Sequence, residues 1–213
     1  MTVNVGPLVP RRGNGFSRWL GRLTLRMIGW KLVGEVPNEP KMVMLGAPHT
    51  TNFDGVLAIA TLISLGLDAK TMIKDSAFKG LLGKFLLWAG AVPINRKSPK
   101  GVVEQSVDAL TSRPKMLLLL APEGTRSAAL EWKRGFYHIA LAAKVPILTA
   151  ACNYQTKLIS FSPALMPSGD YAVDLARILQ FVHENSYPRH PERLSKPLCE
   201  LRGRKWQAVP EDD

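Results

Sequence analysis

Acidic residues are scarce in this chain: 17 Asp and Glu stand against 28 Lys and Arg in 213 residues, for a net charge of +11. Such an excess calls for an anionic partner, whether nucleic acid, an acidic membrane surface or a phosphorylated small molecule. Cysteine is scarcer still, with two residues, Cys152 and Cys199. Two thiols without metal-ligand spacing exclude a disulfide scaffold and a cysteine zinc site, and they fit a reducing compartment with buried or idle thiols. No Gly-x-Ser-x-Gly elbow occurs, which argues against a serine hydrolase. Long hydrophobic runs are missing too. The longest weakly polar stretch, Gly55 to Leu67, is broken by Thr61 and Ser64 and falls short of the roughly 20 apolar residues that span a bilayer; it reads as a buried helix. Arg11 and Arg12 are followed by no apolar h-region, so no secretory leader is expected. These absences predict a cytoplasmic protein, soluble or peripheral to a membrane. An apolar content of 46% leaves enough for a single well-packed core.

Residues 1–40 form an N-terminal segment. Phe16, Trp19, Leu20, Leu23 and Met27 recur at helical spacing, and Arg18, Arg22 and Arg26 make a basic row at i, i+4 and i+8. Two readings fit this amphipathic helix of about Asn14 to Trp30. With its two tryptophans it suits a membrane interface. With Leu25 and Ile28 widening its apolar face it suits docking on the domain. Pro37-Asn38-Glu39-Pro40 then breaks the chain, and strands and helices alternate over residues 41–186. Strands are expected at Lys41–Gly46, Thr71–Ile73, Val92–Ile94, Met116–Ala121, Ile147–Cys152 and Leu158–Phe161. Helices are expected at Gly55–Ser64, Phe78–Trp88, Val102–Leu110, Gly135–Ala143 and Tyr171–Glu184. This pattern predicts an α/β fold: one domain with a central mixed sheet flanked by helices, preceded by the amphipathic helix. Residues 187–213, rich in Pro, Arg and Lys, read as a loosely structured basic tail.

Two loops after apolar strands carry the chemistry. In Pro48-His49-Thr50-Thr51-Asn52-Phe53-Asp54-Gly55, a histidine and a carboxylate share a strand-to-helix loop. A neutral imidazole is the usual base for an alcohol near pH 7, and a carboxylate fixes its tautomer. The same residues are also read as a helix start, with Thr51 or Asn52 capping and Asp54 favouring the positive dipole end. In Glu123-Gly124-Thr125-Arg126-Ser127, Gly124 permits close backbone approach, Thr125 offers a hydroxyl and Arg126 can grip phosphate bidentately. The alternative there is a solvated turn with an internal Glu–Arg pair. Gly90 to Arg96 ends another strand in an arginine, and Arg96 is a second phosphate clamp on the same reasoning. Val145-Pro146-Ile147 reads as packing. His138 falls on a helix near the pocket and reads as a structural histidine; His183 and His190 fall in polar, exposed surroundings. No metal is expected.

These four segments, in this order, resemble the glycerolipid acyltransferase superfamily, which includes 1-acyl-sn-glycerol-3-phosphate acyltransferases. The matching blocks are His49-x4-Asp54, Gly90 to Arg96, Glu123-Gly124-Thr125-Arg126-Ser127 and Val145-Pro146-Ile147, within about Lys41 to Asn153. The resemblance implies transfer of a fatty acyl group from a thioester, on coenzyme A or acyl carrier protein, to the hydroxyl of a lysophosphatidate-like lysolipid. It implies His49 as general base, Asp54 as its orienting partner, and Arg126 and Arg96 on the acceptor's phosphate. Glu123, Gly124 and Thr125 would shape that pocket. No cofactor beyond the acyl co-substrate and no covalent acyl-enzyme are implied. The chain lacks the membrane spans that many relatives carry, so the N-terminal helix and the basic charge would supply contact with an anionic membrane, on its inner face. Acyl transfer to an ornithine lipid or glycolipid is the alternative within this chemistry. A non-catalytic lipid-binding module of the same fold is the alternative outside it. Charge alone suggests nucleic acid, and without stacking-aromatic or zinc motifs such a partner is not expected.

Overall fold

The computed structural model describes residues 3–95, 98 and 100–209. Arg96 lies outside the described residues. Seven strands form one sheet in the order β1-β7-β6-β2-β5-β3-β4. They are β1 (Lys31–Val33), β2 (Lys41–Ala47), β3 (Ala69–Lys74), β4 (Ala91–Ile94), β5 (Met116–Leu120), β6 (Ile147–Asn153) and β7 (Leu158–Phe161). Every pairing is parallel except β6 with β7, whose short connection makes an antiparallel hairpin. The expected mixed sheet flanked by helices is therefore what the chain forms.

Alternation along β2 decides how the two faces are covered. Val43 and Leu45 point into a core with Met116, Leu118, Trp132, Phe136, Ile147 and Val182. That face is covered by α4 (Val102–Thr111), α5 (Gly135–Ala143), α6 (Tyr171–Asn185) and α7 (Lys196–Leu201). Met42 and Met44 point the other way, into a core with Leu25, Trp30, Leu57, Leu117 and Phe161. There the cover is α1 (Gly15–Met27) and α2 (Asn52–Leu65). The remaining helix, α3 (Gly80–Ala89), connects β3 to β4.

Residues before Lys41 are part of this architecture. Val9, Trp30 and Val36 are buried, and β1 adds the last strand beyond β7. Helix α1 starts at an Asn14 cap closed reciprocally by Ser17. It lies so close to α2 that a Cβ on Gly21 would stand 2.5 Å from the Ser64 backbone nitrogen. The Arg11 guanidinium donates to the Leu65 and Val5 carbonyls, tying the C-terminus of α2 to the leading segment. Of the two readings, docking on the domain is what α1 shows. Its Gly21–Leu25 side is docked, while Phe16 and Met27 are 69% and 77% exposed. Trp30 departs from the interfacial reading, because the chain turns at Gly29 and carries the indole into the core against Tyr154.

Two further expectations are corrected. The stretch Gly55 to Leu67 is not a fully buried helix: Leu57, Ala60 and Ser64 are buried, whereas Val56, Ile59 and Ile63 face outwards, with Ile59 60% exposed. Its sequence is apolar all round, so composition could not show that one side stays uncovered. Nor are residues 187–201 loosely structured. Leu194 and Leu198 are fully buried, the Trp132 indole donates to Ser195 Oγ at 2.9 Å, and α7 packs on α6. Leu194 precedes α7 and Leu198 lies on it, so the six-residue helix gave too brief a period to recognise.

Candidate active site

Parallel pairing of β2 with β5 sets Met44 beside Leu119 and Leu45 beside Leu120. The loops that leave these strands therefore emerge side by side at the same end of the sheet, where open α/β sheets hold their ligands. One loop carries His49 and runs into α2; the other carries Glu123 to Arg126. The Ala47–Pro48 bond between β2 and His49 is cis.

His49 and Asp54 meet. The imidazole Nδ1 lies 3.2 Å from Asp54 Oδ2, with the His49 side chain 27% exposed and Asp54 9% exposed. The same Oδ2 accepts the backbone N–H groups of Thr50 (2.8 Å) and Thr51 (3.0 Å). Thr51 in turn caps α2 through its hydroxyl and closes a capping box with Asp54. The helix start and the His49–Asp54 contact are thus one arrangement: the cap immobilises the carboxylate that faces the imidazole. As an acceptor-only group, Asp54 selects the Nδ1–H tautomer and leaves the lone pair on Nε2.

The second loop supplies two different groups. Arg126 Nη1 donates to Asn52 Oδ1 in the first turn of α2, which brings a guanidinium to the helix end beside His49. Glu123 goes inwards instead. It is 3% exposed, and its Oε1 accepts the His49 backbone N–H at 3.3 Å. Among the described residues its Oε2 has no hydrogen-bond partner. Burial is the main cause that pushes this carboxyl up to about 7, opposed by backbone hydrogen bonds and His49. Its place is beneath the histidine loop. Gly124 takes φ +66°, and a Cβ there would strike the Lys133 side chain at 2.7 Å. The Thr125 hydroxyl accepts the Ser127 backbone N–H at 3.2 Å, shaping the turn.

A raised carboxyl has a stability consequence of definite sign. The native state holds the Glu123 proton until about pH 7, whereas an unfolded chain releases it near 4.5. Stability is therefore lost as pH rises across that window, by at most about 3 kcal/mol. Glu123→Gln keeps an acceptor for His49 and removes the titration. Urea unfolding of the variant should show a smaller loss between pH 5 and pH 8 than the parent; parallel losses would disprove this assignment.

Behind His49 and Asp54 a cavity of about 280 Å³ runs between α2 and the sheet. Its walls are almost wholly apolar, including Met44, Leu62, Leu119, Ile159 and Phe161. Cys152 also lines it, and burial pushes its thiol up to about 12, so it is no nucleophile at neutral pH. Tyr154, at the end of β6, was missed in the sequence; its hydroxyl donates to Asp54 Oδ1 at 2.5 Å. A lone tyrosine a hundred positions from its partner carries no local signal. His138 departs from expectation, being exposed on α5 across the sheet from this cavity. His183 is only half-exposed, with Nδ1 buried. Among the described residues no cluster of three or more His, Cys, Asp or Glu side chains is arranged to hold a metal ion.

The family model described as Acyltransferase matches residues 33–153. A 1-acyl-sn-glycerol-3-phosphate acyltransferase of Limnanthes douglasii is 26% identical over 147 residues, covering 65% of this chain and 50% of the relative. One from Cocos nucifera is 26% identical over 143 residues, covering 65% and 46%. The chain thus spans about half the length of the curated relatives it matches. Among solved structures, the 1-acyl-sn-glycerophosphate (LPA) acyltransferase PlsC of Thermotoga maritima superposes with a TM-score of 0.56 at 13% identity, covering 79% of this chain and 78% of that one. At that identity the likeness speaks for the fold. The family match, by contrast, takes in more than half of the chain and encloses both loops, and on that ground this chain belongs to the acyltransferase family.

Proposed function

We propose that the protein is an O-acyltransferase that moves a fatty acyl group from a thioester, on coenzyme A or acyl carrier protein, to the hydroxyl of a lysophosphatidate-like acceptor. The observation that carries this reading is the His49–Asp54 pair at the mouth of an apolar cavity, with Arg126 on the adjoining helix end. In the reaction, His49 Nε2 takes the proton of the acceptor hydroxyl as that oxygen attacks the thioester carbonyl carbon. Asp54 holds the imidazolium that results. The carbon–sulfur bond breaks, and the departing sulfur receives the proton from His49. The cavity takes the acyl chain, excluding water from the thioester. Arg126 releases Asn52 and grips the acceptor's phosphate. Glu123, Gly124 and Thr125 hold the shape of this pocket, and Arg96 is a further cation for it.

Access to such an acceptor requires a membrane. No helix among the described residues is long and apolar enough to cross one. Instead Phe16, Trp19, Leu20 and Met27 on α1, with Val56, Ile59 and Ile63 on α2, leave two packed helices with exposed apolar sides. Arg18, Arg22 and Arg26 accompany them, a composition suited to an anionic interface. We place the protein on the cytoplasmic face of the membrane as a peripheral enzyme.

The test is release of free thiol from a long-chain acyl-CoA, or acyl carrier protein, supplied with lysophosphatidate in mixed micelles. Release no faster than the enzyme-free blank with every donor would sink the reading. Arg126→Ala should raise KM for lysophosphatidate by about tenfold or more, as expected for a lost charge-assisted contact worth 1.5–3 kcal/mol, and leave KM for the donor within about twofold. An unchanged KM for lysophosphatidate would remove Arg126 from the phosphate site.

A further inference from the structure

Asp54 has two oxygens with different neighbours. Oδ2 faces His49 Nδ1 and the backbone N–H groups of Thr50 and Thr51, whereas Oδ1 receives the Tyr154 hydroxyl at 2.5 Å. Tyr154 is itself held from several sides. Its ring meets the Trp30 indole edge-on at 5.0 Å and lies 6.5 Å from the Phe53 ring. Its backbone N–H donates to the Tyr187 carbonyl at 2.9 Å, and the Tyr187 N–H returns to Cys152 at 3.1 Å. The hydroxyl thus arrives at Asp54 from β6 with little freedom, braced by the N-terminal segment, α2 and the chain after α6.

We propose that Tyr154 is a positioning residue for acyl transfer, its hydroxyl fixing the rotation of the Asp54 carboxylate so that Oδ2 is presented to His49 Nδ1. The inference rests on His49 acting as the base. A second effect follows from the same bond. Donation to Oδ1 draws off part of the carboxylate's charge, so Asp54 holds an imidazolium less tightly than an unbonded carboxylate would. Among the described residues, the charged and titratable groups around this pair are Glu123 and Arg126 from the loop after β5, Cys152 from β6, Tyr154 itself and Arg189 beyond Tyr187. Arg189 stacks over the Phe53 ring at 5.4 Å. Burial first, and the bond to Asp54 second, raise the proton affinity of the Tyr154 hydroxyl, so it stays a donor throughout the working range.

Tyr154→Phe keeps the ring against Trp30 and Phe53 and removes only the hydroxyl. In the full-length protein, kcat should fall about tenfold while KM for acyl-CoA and for lysophosphatidate stay within about twofold. The acidic limb of the kcat/KM profile, which reports the base losing its proton, should move to higher pH by roughly half a unit. Independently of turnover, the His49 Nδ1–H proton resonance, assigned by its loss in His49→Ala, should move downfield as Asp54 turns its full charge on the imidazole. An unchanged resonance overturns the proposal whatever the enzyme does, and so does an unchanged kcat with an unmoved limb. Wild-type protein that releases no thiol from any donor defeats the acyl-transfer reading instead, with the resonance still deciding the bond. A Tyr154→Phe melting temperature within a few degrees of wild type, measured alongside, shows that the variant is folded.

Discussion

Thiol release by His49→Ala protein is expected to fall by about 10²–10⁴-fold in kcat, the range a positioned general base contributes. The expectation rests on geometry. The imidazole is held through Nδ1 by a nearly buried carboxylate, itself anchored by two backbone N–H groups and a tyrosine hydroxyl, so Nε2 is the available basic atom. No other described group at the cavity mouth can substitute. Glu123 lies inside the loop and spends one oxygen on the His49 backbone, and Cys152 holds its proton up to about 12. KM for the acceptor should change little, since Arg126 is untouched. The His49 side chain lines the cavity and belongs to neither hydrophobic core, so the fold should survive and the variant should melt within a few degrees of the parent by circular dichroism. Full turnover in the alanine protein would remove His49 from the mechanism.

Leu198→Ala is expected to cost about 2–5 kcal/mol of stability, the range for truncating a buried leucine. For a chain of this size that corresponds to a fall of roughly 5–15 °C in melting temperature. Leu198 is fully buried on α7 and shares a core with α5, α6 and Trp132, so deleting its methyl groups opens a void that a packed core cannot close. Were the last segment a loosely attached basic tail, the same substitution would move the melt by less than about a degree. Calorimetry of the two proteins distinguishes these outcomes.

Most of the sheet was legible in the sequence because its central strands, β2, β5 and β6, are largely buried on both faces. Met116–Ala121 reads as an unbroken apolar run and Ile147–Cys152 as one interrupted only by Thr149, and the helix over Gly135–Ala143 falls where its pattern places it. The His49–Asp54 loop was legible as a spacing, and the structure puts its two side chains within reach of each other. What stayed hidden required partners distant in the chain. Three-residue β1 exists only because Lys31 to Val33 find β7, and nothing local marks it. Glu123 looks like a surface acid beside an arginine, yet the crossing of the two loops buries it beneath His49. Tyr154 owes its meaning wholly to Asp54. Helix α2 shows the converse case: its apolar outward side is written plainly, but composition does not say whether protein covers it.

The edge position of β1 bears on how this chain must be made. Lys31 pairs with Leu158, so the N-terminal segment leaves the ribosome long before its sheet partner has been synthesised. Until then α1 has α2 as its main support, and Trp30 waits for a tyrosine that has not yet emerged. Completion of the sheet, burial of Trp30 and delivery of Tyr154 to Asp54 therefore belong to one late event. A nascent chain halted short of Leu158 would hold the histidine and its carboxylate without the brace behind them, and its first helices would be at their most adhesive.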